Sequence, residues 1–150
     1  MNARFGRRFF LSAAMIAALS LPLSALWAQS GERPALKAVL GTARSQITEI
    51  SPAEAKDLMA GGAALFVDVR TAEEWAGGHL PGAKHLDRGK LEFMVEQAVP
   101  NKAAAIVVYC KSGDRGALSA QTLAAMGYTN VLNMAGGFVA WDKAGYEVVK

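Results

Sequence analysis

Residues 104–109 read AAIVVY, an apolar run with β-branched residues at its centre that is too brief for a helix, so it is expected as a fully buried strand. Residues 64–69 (ALFVDV) have the same character. A strand buried on both faces needs cover on both, and helix signals lie between the runs. Ser51, Pro52 and Glu54 form a cap, a first-turn proline and a capping-box acid. They open a helix that runs to Ala60 and stops at Gly61 and Gly62. Thr71, Ala72, Glu73 and Glu74 open another, residues 91–98 a third, residues 116–126 a fourth that ends at Gly127, and Gly136 and Gly137 lead into a last short helix with Trp141. Residues 84–86 and 131–134 read as further strands. Strands alternating with helices imply an α/β fold, an open parallel sheet with helices on both faces.

The chain has 150 residues, room for one domain and a modest leader, and therefore for one active site. A formal charge of +3 is, taken alone, in keeping with a nucleic-acid partner, but the charges are unevenly placed. Arg4, Arg7 and Arg8 lie in residues 1–28, which contain no acid; without them the 16 basic side chains fall to 13, equal to the 13 acidic ones. The body is neutral and has no basic run, so no nucleic-acid partner is expected.

The three arginines precede a stretch, residues 9–27, broken only by Ser12, Ser20, Pro22 and Ser24. Charge followed by an apolar run is the order of an export signal, and RRFFL at residues 7–11 resembles a twin-arginine motif. Cleavage after Ala28 is expected, although Leu26 stands where a small residue is preferred, and an uncleaved anchor is the alternative. Residues 1–28 are thus read as signal, 29–46 as a linker and 47–150 as the domain, facing the periplasm and touching membrane only through the N-terminal segment.

Cys110 is the sole cysteine, so no internal disulfide can form. It follows the strongest strand and begins the loop CKSGDR, residues 110–115, which runs into a helix. Ligands of open parallel sheets bind at such strand ends. Gly113 permits a tight turn, the amides of Lys111, Ser112, Gly113, Asp114 and Arg115 can converge on an anion, and Lys111 and Arg115 add positive charge. That field favours thiolate over thiol, making Cys110 the expected nucleophile. An inert buried thiol would leave the glycine and cations of this loop without purpose.

Three segments in order, DVRTAEEWAGGHLPGA at 68–83, CKSGDR at 110–115 and AGGFVAW at 135–141, resemble the rhodanese family over about residues 48–149. The resemblance implies a sheet of about five strands, Cys110 as the residue that forms a persulfide, and the loop amides through Arg115 as its cradle. Gly116 departs from the family, in which Ser or another polar residue is frequent, and leaves one loop hydrogen bond open. Asp68, Arg70 and Glu74 are expected to fix the loops around the site; Trp75 and Trp141 are expected as core aromatics, and His79 and His85 carry no assigned role.

The implied reaction is thiosulfate sulfurtransfer: an anionic sulfur donor charges Cys110, and cyanide or a thiol acceptor discharges it. No cofactor is required, and no Cys/His cluster with metal-ligand spacing is present in the sequence. A non-turnover persulfide carrier or partner-binding module is the alternative. A cysteine phosphatase or arsenate reductase is disfavoured, because such loops place one residue more between Cys and Arg than the four found here.

Overall fold

A computed structural model describes residues 33–150, so the expected export signal at 1–28 lies outside the described residues. In chain order the elements are α1 (Pro34–Ser45), β1 (Thr48–Ile50), α2 (Pro52–Ala60), β2 (Leu65–Asp68), α3 (Ala72–Ala76), β3 (Lys84–His85), α4 (Leu91–Ala98), β4 (Ile106–Tyr109), α5 (Asp114–Ala125), β5 (Val131–Met134) and α6 (Gly137–Lys143). The five strands form one parallel sheet in the order β1-β5-β4-β2-β3. Strand β4 lies at the centre, with Val108 in register with Val67 of β2 and Asn133 of β5.

The period-two alternation of a strand divides the core into two layers. Ile106, Val108 and Cys110 face one side with Leu91 and Val95 of α4 and Leu123 of α5. Val107 and Tyr109 face the other with Ala55 of α2, Met134 and Trp141 of α6. The capping signals hold: Ser51 Oγ accepts from the Glu54 N–H at 3.2 Å while Glu54 returns a carboxylate to the Ser51 N–H at 2.7 Å. Thr71 and Glu74 repeat this reciprocal cap at the start of α3.

Three expectations need correction. The linker read over residues 29–46 is, from Pro34 to Ser45, helix α1, and the compact unit begins at Pro34 rather than at residue 47. Leu40 and Ala43 are buried and α1 packs on α5, so the buried face of this helix shows the sequence one leucine and one alanine, three residues apart. The edge strand β1 was unassigned; only three residues long, it pairs with β5 alone. Trp141 is in the core at 1% exposure, but Trp75 is half-buried and belongs to neither layer. Its ring stacks with those of His79 and His85, at centroid distances of 3.4 and 5.1 Å. Among the described residues no helix is long and apolar enough to cross a membrane.

Candidate active site

Cys110 is the first residue beyond β4, and the chain turns from it into α5 within three residues. Gly113 makes the turn possible as the N-cap of α5 in the left-handed region, φ 101°. Its N–H donates to Cys110 Sγ at 3.1 Å. The cysteine is 1% exposed, so the sulfur lies beneath its loop and not upon it.

The carbonyls of that loop are tied back, one after another. Phe138 N–H donates to Cys110 O at 2.7 Å and Val139 N–H to Lys111 O at 3.0 Å, both from the start of α6. Gly137, φ 56°, lets α6 come so close that a Cβ there would overlap Cys110 O. Gly113 O accepts from Ala117 N–H at 2.9 Å and from Asn133 Nδ2 at 3.2 Å. In a trans peptide the N–H points opposite the C=O, so anchoring these carbonyls turns the N–H groups of Lys111, Ser112 and Asp114 away from the body. Among the described residues none of these three donates to a protein acceptor, which leaves them available to an anion.

A rhodanese-like domain profile matches residues 51–144, which include every residue of this loop and its anchors. The chain belongs to the rhodanese-like family. It is 34% identical over 97 residues to the thiosulfate sulfurtransferase GlpE of Ectopseudomonas mendocina, covering 65% of this chain and 86% of that protein. Among solved structures, the human single-domain sulfurtransferase TSTD1 is similar at a TM-score of 0.58 and 31% identity, over 63% of this chain and 95% of that one. A Rhodopseudomonas palustris protein of unknown function, named as a possible tyrosine phosphatase, is similar at 0.72 and 34%, over 76% and 93%.

Within this rhodanese-like site the expected residues separate by what they touch. Lys111 and Ser112 are exposed at the mouth, and Lys111 makes no ion pair among the described residues. Asp114 is held by Arg44 of α1 at 2.9 Å, a partner that lay in the supposed linker and was therefore missed. Arg115 answers to an anion from its own chain: its Nη1 and Nη2 donate to the two carboxylate oxygens of Glu74, both at 2.8 Å. That pair holds the Glu74 carboxyl down at about 2, chiefly through the Arg115 hydrogen bonds. Arg115 is raised in turn, first by Glu74, with Cys110 contributing in the same sense.

Behind the loop, Asp68 is fully buried and receives Arg70 through Nε at 2.9 Å and Nη2 at 2.6 Å, while Nη2 also reaches Gly78 O at 2.7 Å. The Arg70 guanidinium lies 4.1 Å over the Phe138 ring, so one buried ion pair ties β2 to the glycine turn and to α6. The polar contacts expected of Asp68, Arg70 and Glu74 are therefore present. His79 and His85 face backbone carbonyls, of Trp75 at 3.2 Å and Arg70 at 2.8 Å. At Gly116 the space for a side chain is taken by Asn133, since a Cβ there would overlap its Oδ1. The loop bond left open at that position is supplied from β5.

Proposed function

We propose that the protein is a periplasmic sulfurtransferase that takes sulfane sulfur from thiosulfate or a similar anionic donor onto Cys110 and passes it to cyanide or a thiol. The Cys110 thiolate attacks the outer sulfur, a new S–S bond forms, and the bond to the sulfonyl sulfur breaks with its electron pair leaving on sulfite. The negative charge of the resulting persulfide falls to the unengaged N–H groups of Lys111, Ser112 and Asp114, with Gly113 N–H already aimed at the sulfur. An acceptor nucleophile then takes the outer sulfur and regenerates the thiolate.

The observation that carries this reading is the sulfur beneath its own loop, 1% exposed, with Gly113 N–H at 3.1 Å. A terminal sulfur is slender enough to meet it; a tetrahedral phosphate brings three further oxygens. The name of the Rhodopseudomonas palustris relative raises the phosphatase alternative. Against it stand the loop, with four residues between Cys110 and Arg115, and the engagement of both Arg115 terminal nitrogens with Glu74, which removes the fork that would clamp a phosphate. Periplasmic placement rests on the N-terminal sequence alone.

Intact mass spectrometry of the full chain after thiosulfate treatment tests the assignment. One added sulfur atom on Cys110, removed by cyanide and absent from Cys110→Ser, is the expected result. An unchanged mass, or release of phosphate from an aryl phosphate, would overturn it. A charged Cys110 that turns over neither cyanide nor small thiols would restrict the protein to handing sulfur to a partner. Fractionation of cells expressing the full chain tests the location, with recovery in the cytoplasm the opposing outcome.

A further inference from the structure

A polar chain runs from α1 into the Cys110 loop. Arg44, in the last turn of α1, donates through Nη2 to Asp114 Oδ1 at 2.9 Å, and its Nε lies 3.4 Å from Glu49 Oε1 on β1. The same Glu49 oxygen accepts from Asn133 Nδ2 at 2.7 Å, and Nδ2 also reaches Gly113 O at 3.2 Å. Gly113 and Asp114 share one peptide group. That group is therefore gripped on both sides, its carbonyl by Asn133 as well as by the Ala117 N–H, and the side chain after it by Arg44.

Stability does not account for this arrangement. The Arg44 and Asp114 side chains are 38% and 52% exposed, and pairs so exposed add little to folding. Asn133 is fully buried, and among the described residues its Oδ1 meets no donor. A buried acceptor without a partner is a standing penalty that a leucine of similar shape would avoid. The amide is explained by its other end, where Nδ2 bridges Glu49 and Gly113 O. The absence of a side chain at Gly116 is what makes room for it. Reversing the amide would set its oxygen against two other oxygens, so the observed orientation is the one the neighbours permit.

We propose that Asn133, braced by Glu49 and Arg44, is a positioning residue that fixes the Gly113–Asp114 peptide of the cradle, so that α1, which lies outside the family match at 51–144, sets the geometry of the sulfur-transfer loop. Holding the Gly113 carbonyl inward turns the Asp114 N–H outward, where an anionic donor would meet it. The relay acts on the capture of negative charge, not on bare access to the thiol. Its meaning for sulfur transfer rests on the sulfurtransferase reading, but its effect on anions does not.

The test uses the full chain and four variants, Asn133→Leu, Arg44→Ala, the double variant, and Gln121→Ala. The last removes a different contact between α5 and the end of α1, the 2.7 Å bond to Gln46, and leaves the relay intact. Two quantities are read: kcat/KM with thiosulfate, and the ratio of Cys110 alkylation rates by anionic iodoacetate and neutral iodoacetamide. Asn133→Leu is expected to lower both by roughly tenfold or more, since small misplacements of a binding group have effects of that order. Arg44→Ala should lower both several-fold, the double variant should be no worse than Asn133→Leu, and Gln121→Ala should match wild type. Wild-type values in Asn133→Leu, or effects of the two single changes that multiply, would overturn the relay. A wild type that gains no sulfur on Cys110 from thiosulfate would sink the sulfurtransferase reading while the alkylation ratio still decides the relay. Should Asn133→Leu fail to fold, Arg44→Ala and Glu49→Ala carry the same two readouts, and no loss in either refutes the proposal.

Discussion

Glu74 belongs to the cap of a five-residue helix, yet its carboxylate spans the site to grip Arg115 at the start of α5. Its folded pKa of about 2 lies below the ordinary value of 4.5, so the pair adds stability that is fully present above pH 4.5 and disappears as pH falls to 2. The side chains are 25% and 36% exposed, which limits the net contribution to about 1 kcal/mol at neutral pH. Glu74→Gln keeps an oxygen for the cap and removes the charge, which isolates the ion pair. Urea unfolding is expected to show a gap of about 1 kcal/mol between wild type and Glu74→Gln at pH 7 that closes by pH 2. A gap that persists there would show that the ion pair is not its source. Sulfur transfer by the variant should fall at pH 7, because the guanidinium at the end of the 110–115 loop then loses the carboxylate that fixes it.

At the scale of elements, α1 is the piece whose removal should be felt at a distance. Leu40 is 8% exposed and Ala43 is fully buried against α5, so Leu40→Ala is expected to lower stability by about 2 kcal/mol, measured by chemical denaturation. Because α5 starts at Asp114, loosening α1 should also slow persulfide formation. The same helix marks where sequence reading runs out. Helices α2 and α3 were legible because their capping boxes are local, Ser51 with Glu54 and Thr71 with Glu74. Strand β4 was legible because burial on both faces leaves an unbroken apolar run, and β2 because its short apolar run is interrupted only by Asp68. In α1 half the buried stripe is alanine and the exposed face carries Val39, so its period is faint until α5 is placed beside it. Strand β1 takes its identity from pairing with β5, a contact no three-residue window contains. The cradle proposed for loop 110–115 draws on its glycine and cations, which are local in sequence, whereas the partners of Asp114 and Gly113 come from Arg44 and Asn133, 70 and 20 residues away.

For the molecule as a whole, three of the four buried polar residues among the described residues gather at one end of the sheet. Asp68 lies at the carboxyl end of β2, Arg70 just after it, and Asn133 near the end of β5, the same end at which Cys110 leaves β4. Asp68 at 0% exposure is tolerable only because Arg70, itself 3% exposed, neutralises it while bonding Gly78 O and lying over Phe138. Arg70→Ala would strand a buried carboxylate and release three segments at once, with an expected loss of about 3–5 kcal/mol. A domain of this size has roughly 5–15 kcal/mol in total, so much of its stability would go. Cys110→Ser removes the atom proposed to react but keeps an acceptor for the Gly113 N–H, and should stay within about 1 kcal/mol of wild type. Thermal melts of the two variants beside wild type decide whether scaffold and reagent are separable in this way. If Cys110→Ser melted as low as Arg70→Ala, the sulfur would be a structural member of the loop, and the division between a rigid polar foundation and a replaceable nucleophile would not hold.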